Sequence, residues 1–316
     1  MSDGGLPSSP HSLSRAVTPM GGSGRGMGLE KPPSMVLTTA CPDTTGVVAA
    51  VAGFLASNNC LITEAQHYDD PVADTSFMRT VFHDNGQGTP SLQKLDESFA
   101  STVAQRFGMR WRFHEARSKC RVVLAVSKHG HCLNSMLHRW STGTLPIEVV
   151  AVVSNHQEMR SLSEWHGVPY HYLPVLDGRK AEQERRLIEL FEKVDGELLV
   201  LARYMQILTP AACGYFDGRA INIHHSFLPG FKGAKAYHQA HTRGVKLIGA
   251  TAHYVTTDLD EGPIIEQEVA RVDHTMTPEE LVNIGADLES VVLNRAVKWH
   301  AERRVFTNGS KTVVLK

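Results

Sequence analysis

Cys120–Val126 reads CRVVLAV, an apolar run with one charged residue. A run this short and this apolar suits a strand buried on both faces of a parallel sheet. Residues 147–153, IEVVAVV, repeat the pattern. Between the two runs, residues 127–131 turn and residues 132–140 are helical. Downstream, a helix carries Met159, Leu162 and Trp165, and residues 169–173 form a short strand. Residues 182–194 form an amphipathic helix with Leu187, Ile188, Leu190 and Phe191 inward. Residues 198–202 and 220–223 are strands, separated by a short helix over Pro210–Tyr215, and the second runs directly into His224. Strands alternating with helices predict right-handed crossovers and a Rossmann-like, doubly wound, mostly parallel α/β sheet. Ligands of such sheets bind beyond the carboxyl ends of the strands. The loops at 127–131, 154–156, 204–208 and 222–226 therefore share one edge.

The remaining C-terminal chain continues the unit. A helix over 236–242 returns to a strand over 249–255, a polar loop over 256–262 and an extended segment over 263–270. Thr277-Pro278-Glu279-Glu280 is a helix start with Thr as cap, Pro in the first turn and Glu three residues on. Leu281, Ile284, Leu288, Val291, Val292 and Trp299 trace one face of the helix that follows. Val305-Phe306, Asn308-Gly309 and residues 312–315 read as a closing hairpin.

Toward the N-terminus the pattern differs. Residues 1–33 are rich in Gly, Ser and Pro, and the expectation is a disordered extension. Residues 35–40 are a strand. Thr44 or Thr45 is positioned to cap a helix bearing Val47, Val48, Val51, Phe54 and Leu55. Strands over 60–68 and 76–83 precede a second helix starting at Pro90, with Leu92, Leu95, Phe99, Val103 and Phe107 at helical spacing and Gly108 as its cap. Residues 109–115 are a last strand. The order β-α-β-β-α-β is the split βαβ of a ferredoxin-like sandwich. The expected division is 1–33, 34–116 and 117–316.

The 32 Lys+Arg residues balance the 33 Asp+Glu, which gives no reason to expect nucleic acid or an anionic membrane as partner. The five cysteines, Cys41, Cys60, Cys120, Cys132 and Cys213, lack C-x-x-C spacing and read as reduced thiols, neither a disulfide frame nor a zinc site. No apolar run is long enough to span a membrane, and no signal-peptide core is visible. Cytoplasm is the expected location.

Chemistry concentrates between Ile221 and Ile265. Asn222 and His224 lie two apart at a strand end, and Asp260 sits in the loop after a later strand. An amide can donate to a developing oxyanion, an imidazole can move protons, and a carboxylate can hold the imidazole in one tautomer. Each also has a structural reading: turn-forming Asn, core His, loop-capping Asp. His225 is a residue that stacks or orients. On an extended chain His224 and His225 point opposite ways, which argues against a shared metal. No metal is expected.

These residues carry a resemblance. Residues 42–46, PDTTG, after the first strand resemble the ACT domain, a small regulatory module. The resemblance implies an effector loop at Asp43 and Gly46, homo-oligomerisation as a dimer or tetramer, and an amino-acid effector. Asn222-Ile223-His224, Ser226-Phe227-Leu228-Pro229 and residues 253–262, HYVTTDLDEG, are similar to the formyltransferase fold that handles 10-formyltetrahydrofolate. Ser127-Lys128, His131-Cys132-Leu133, residues 201–208 (LARYMQIL) and the His224-His225 pair are similar to the formyltetrahydrofolate deformylase family. Gly230 and Ala236 depart from the Ala and Pro expected there. The resemblance implies hydrolysis of 10-formyltetrahydrofolate to tetrahydrofolate and formate, with Asn222, His224 and Asp260 catalytic and no cofactor. The folate would lie against Met205, Gln206, Ile207 and Leu208 and against Thr256, Thr257, Asp258 and Leu259. Ser127, Lys128, His131 and His225 would shape the site.

Two other readings share these residues. A transferase would pass the formyl group to an amine such as glycinamide ribonucleotide. A small-residue phosphate cradle in the first βα loop would favour it; Lys128, His129 and His131 crowd that loop instead. A non-catalytic amino-acid sensor would have little use for the complete Asn222, His224 and Asp260 set.

Overall fold

The computed structural model describes residues 34–230 and 236–316; the expectation for residues 1–33 lies outside them. The described residues pack as one compact unit.

The first sheet comprises β1 (Ser34–Pro42), β2 (Cys60–Asp70), β3 (Thr75–Asp84) and β4 (Arg110–Glu115), in the order β2-β3-β1-β4 and antiparallel throughout. Helix α1 (Val47–Ser57) follows β1. Helix α2 runs over Leu92–Phe99, through a π turn at Ala100–Ala104 and a last turn at Gln105–Phe107. Both bury apolar faces against one side of the sheet, where Leu55, Phe82, Leu95 and Phe99 are fully enclosed. Phe99 meets Phe54 at 5.0 Å and Phe113 at 5.6 Å, both edge-on, the favoured aromatic geometry. Two expectations about helix starts are corrected. Gly46, not Thr44 or Thr45, occupies the cap of α1, at φ 96° and without a side-chain hydrogen bond; the left-handed turn there suits Gly. The second helix starts after Pro90, with Ser91 as its cap.

The second sheet has seven strands: β5 (Cys120–Val126), β6 (Ile147–Ser154), β7 (Tyr170–Tyr172), β8 (Leu198–Leu201), β9 (Ala220–His224), β10 (Leu247–Tyr254) and β11 (Ile264–Arg271). Their order is β11-β10-β9-β8-β5-β6-β7. Strands β5 to β9 are parallel, whereas β10 is antiparallel to both neighbours. Helices α3 (His131–Ser141) and α8 (Pro278–Ala301) cover one face through Leu133, Met136, Val292 and Val297. The other face meets α5 (Lys180–Lys193) and α6 (Pro210–Tyr215) through Leu187, Phe191 and Ala212. The short α4 (Arg160–Trp165) leaves Trp165 80% exposed, so that residue adds nothing to the core. Helix α7 (Ala236–Arg243) packs on α8 through Tyr237. Among the described residues no helix is long and apolar enough to cross a membrane.

The hairpin of β12 (Val305–Asn308) and β13 (Lys311–Val314) joins the two sheets. Phe306 packs on Phe77 at 5.6 Å. Arg304 donates to Glu64 and Gln66, each at 3.0 Å, and Asn308 donates to Asp70 at 2.6 Å.

The capping box at the start of α8 forms as its sequence implies. Thr277 Oγ1 accepts from Glu280 N at 3.2 Å, and Glu280 Oε2 accepts from Thr277 N at 2.7 Å. Thr277→Ala should therefore lower the unfolding free energy by about 1 kcal/mol. Urea titration should show an earlier midpoint at unchanged slope.

Candidate active site

Alternation along β9 fixes the site. Ile221 and Ile223 join the core under α3 and α8, whereas Ala220 joins the opposite core. Asn222 and His224 share the face of Ala220. On β10, His253 is directly opposite Asn222 and Thr251 opposite His224, so all four side chains occupy one face.

Asp260 reaches this group by an unexpected route. Because β10 runs against β9, it ends opposite Ile221, and Val255 N bonds back to Ala220 O at 2.9 Å. The loop after β10 thus leaves about 13 Å short of the active edge, four strand residues away. It folds back over the sheet until Asp260 Oδ1 lies 3.2 Å from His224 Nδ1 and 3.9 Å from His253 Nε2. Two backbone features permit this. Asp260 takes φ 57°, a region open to Asp at modest cost. Gly262 passes so close to Tyr254 that a Cβ would stand 1.8 Å from its carbonyl oxygen.

His253, which the sequence analysis left without a role, orients Asn222. Its Nδ1–H donates to Tyr254 O at 2.8 Å. Nε2 then accepts from Asn222 Nδ2 at 3.3 Å. Burial depresses the His253 pKa against the raising effects of the Tyr254 bond and Asp260. The ring stays neutral, and the Asn222 amide is held by one of its two N–H groups.

A cavity of about 280 Å³ opens onto these residues. Asn222, His224, His225 and Asp260 line it, as do both candidate folate loops, 205–208 and 256–259. Among the described residues, cavities of about 350, 360 and 380 Å³ are larger, but none of these holds the triad. The 203–209 loop is braced at both ends. Ser127 Oγ accepts from Met205 N at 2.9 Å, and Ser127 N donates to Arg203 O at 3.1 Å. Glu184 accepts from Thr209 N at 2.9 Å, and Lys180 Nζ donates to Ile207 O. Ser127 therefore acts on the cavity through the loop backbone.

The other site-shaping candidates fall differently. Lys128 is exposed, and neither it nor His131 lines the cavity. His131 Nε2 lies 2.8 Å from Glu289 Oε2. Glu289 is buried on α8, 3.3 Å from Arg203 Nε, and accepts from Tyr237 OH at 3.0 Å. Burial opposes its ionisation, but the His131 bond and the Arg203 charge outweigh burial and hold the carboxyl below its usual range. His225 faces this group, its ring 6.1 Å from Tyr237. Burial first, then Arg203 and His224, lower its pKa to about 4. The expectation that His224 and His225 point apart is corrected: the strand ends at His224, the chain bends, and the rings lie 5.0 Å apart. Among the described residues, the ligand-type groups that converge closely enough for an ion are His131, Cys132 and Glu289. Arg203 already supplies Glu289 with positive charge, and burial raises the Cys132 thiol pKa, which disfavours the thiolate a metal needs. Asp43 and Gly46 line neither this cavity nor its neighbours.

Arg203, Glu289 and Tyr237 were given no role in the sequence. Arg203 lay within the run LARYMQIL that carries the family similarity, and Glu289 left a signal, a carboxylate on the apolar face of α8 beside Leu288 and Val292. Tyr237 left none.

The α/β fold is that of the formyl transferase family, whose model matches residues 120–297. A formyltetrahydrofolate deformylase of Corynebacterium sp. (strain P-1) is 50% identical over 281 residues, covering 89% of this chain and 98% of the relative. That of Bacillus subtilis (strain 168) is 48% identical, covering 88% and 92%. The crystal structure of formyltetrahydrofolate deformylase from Burkholderia mallei superposes with TM-score 0.85 at 49% identity, covering 90% of this chain and all of that one. Glycinamide ribonucleotide transformylase 1 from Symbiobacterium toebii reaches TM-score 0.60 at 29% identity and covers 63% of this chain and 95% of its own. The chain belongs to the formyltetrahydrofolate deformylase family.

The Asp260 carboxyl has a lowered pKa: burial raises it, but the hydrogen bond and charge of His224, with His253 and His225, prevail. A depressed carboxylate pKa adds stability above the unfolded-state value, and this is lost as pH falls through the folded-state value. The stability gap between wild type and Asp260→Asn should therefore shrink on acidification in that window, as read by chemical denaturation at stepped pH.

Proposed function

We propose that the chain hydrolyses 10-formyltetrahydrofolate to tetrahydrofolate and formate. The convergence of Asn222, His224 and Asp260 on one cavity carries this reading. The match to a deformylase over 89% of the chain supports it over the transferase alternative, whose representative covers 63% of the chain. The complete triad weighs against a non-catalytic sensor.

The pterin and its linked ring enter between loops 205–208 and 256–259, held largely by backbone groups. Water attacks the formyl carbon, and its oxygen forms the new C–O bond. The formyl oxygen takes up the negative charge and is stabilised by the second Asn222 N–H and by protonated His224. His253 holds the first Asn222 N–H, so the donor is fixed before the charge develops. With Nδ1 turned to Asp260, Nε2 is the His224 nitrogen left to exchange protons with the reacting groups. Asp260 orients the ring, stabilises the imidazolium and helps to place or deprotonate the water. Collapse breaks the C–N bond as the protonated His224 gives its Nε2 proton to the folate nitrogen, the proton lost by the water stays on the His224–Asp260 pair, and formate leaves.

We read residues 34–116 as an ACT-type regulatory and oligomerisation domain, and residues 117–316 as the catalytic domain. Asp43 and Gly46 are its candidate effector loop for an amino acid, and a homodimer or homotetramer in the cytoplasm is the expected form. A single monomeric species in sedimentation would remove the oligomer from this reading.

The deciding assay supplies 10-formyltetrahydrofolate alone and follows tetrahydrofolate and formate. Turnover without an amine is expected. Turnover only with glycinamide ribonucleotide would make the chain a transferase, and none under either condition would leave the sensor. His224→Ala and Asp260→Asn should each reduce turnover at least about 100-fold while far-UV circular dichroism stays unchanged. A near-normal rate in either would take that residue out of the mechanism.

A further inference from the structure

We propose that the cavity between the four-stranded sheet and the C-terminal hairpin binds a small anion carrying at least two negatively charged oxygen groups. This inference is independent of the folate reading.

The cavity measures about 350 Å³. Arg110, Arg112 and His114 of β4 and Arg303 at the end of α8 line it, Thr38 and Thr307 add hydroxyls, and no carboxylate belongs to its wall. Other arginines at this junction are matched. Arg79 lies 2.7 Å from Glu64, and Arg304 lies 3.0 Å from Glu64 and 2.8 Å from Glu302. Arg303 meets Glu197 at 3.3 Å. Among the described residues, Arg110 and Arg112 have no carboxylate within ion-pair distance. Of the three arginines that line the cavity, Arg303 is thus paired with Glu197, whereas Arg110 and Arg112 have no carboxylate partner among the described residues.

The spacing of this pair defines the ligand. Alternate positions on a strand put Arg110 and Arg112 on one face. A two-residue step is about 6.6 Å, and extended side chains can close or widen that gap. It suits two neighbouring anionic groups, as in a dicarboxylate or a diphosphate, and guanidinium forks grip both types of oxygen group in pairs. Like charges gathered in a recess repel until a counter-charge enters. Burial first, then the Arg303 and Arg112 charges, lower the His114 pKa to about 4. Across the cavity His300 is half-buried and meets Tyr254 OH at 2.7 Å; burial and the Arg303 charge lower its pKa to about 3, so it supplies no charge. The site shares no residue with the catalytic cavity. An adjoining cavity of about 360 Å³ shares Arg110 and Thr307 with it and is lined by Val255, Thr256 and Pro263, the two roots of the Asp260 loop. A bound anion would thus lie one cavity away from the loop that carries Asp260.

Titration calorimetry on the full chain tests the site with pyrophosphate and, separately, succinate as probes. Saturable binding of at least one probe is expected, and the stronger probe distinguishes phosphate from carboxylate chemistry. R110Q/R112Q should weaken binding at least about tenfold, the low end for losing charge-assisted hydrogen bonds. Arg110 and Arg112 are exposed, and R110K/R112K controls for packing by restoring charge and part of the affinity. The bound anion should also raise the His114 pKa from about 4, read by the imidazole resonances in a pH titration, with Arg110, Arg112, Arg303 and His300 as the groups facing it. Failure of both probes to saturate, equal affinity in R110Q/R112Q, or an unmoved His114 would each overturn the proposal.

Discussion

The candidate site depends on the meeting of His224 and Asp260 across a loop that starts from the far side. Strand β10 runs against β9, so the loop after it leaves well below the active edge and must double back over the sheet. That return needs a close approach at Gly262, where no side chain fits against the Tyr254 carbonyl, and a left-handed residue at Asp260 itself. Once the loop is in place, one carboxylate lies beside two imidazoles, 3.2 Å from His224 and 3.9 Å from His253. The lowered pKa of Asp260 follows from that company.

The remaining structure supports this meeting from two sides. On one side, Ser127 and Glu184 pin the ends of the 203–209 loop by accepting from its backbone N–H groups, so its other backbone groups keep fixed positions along the cavity. On the opposite side of β9, buried Glu289 gathers His131, Arg203 and Tyr237. A buried carboxylate is costly unless paired and hydrogen-bonded, and here each partner comes from a different segment. Glu289 thereby ties α3, the end of β8, α7 and α8 together behind the two histidines. The four-stranded sheet is joined to the same framework through the C-terminal hairpin. Thr312 Oγ1 donates to Ile264 O at 2.5 Å, one residue beyond the end of the Asp260 loop.

Much of this was legible in the sequence because it is governed by local rules. The buried strand CRVVLAV begins and ends where its apolar run does. The capping box of α8 and the short helix Pro210–Tyr215 also stand where their residues imply. The polar triad was legible as chemistry, since Asn222, His224 and Asp260 carry the family pattern. Local rules failed where a stronger packing demand or a break in regularity intervened. Gly46 took the cap from the threonines because the chain turns left-handed there. The bend after His224 brought its ring near that of His225, against the alternation of a continuous strand.

By itself, then, the sequence determined the elements, the alternation that makes an α/β sheet, and the polar side chains that the resemblance singles out. These depend on periodicity and residue type, which act over a few neighbouring positions. Only the tertiary structure decided the direction of β10, the orientation of Asn222 by His253, the gathering of charge around Glu289 and the uncompensated arginines of β4. Each of these is a relation between segments far apart in the chain. It is set by which strands pair and which faces meet, and no local spacing records that choice.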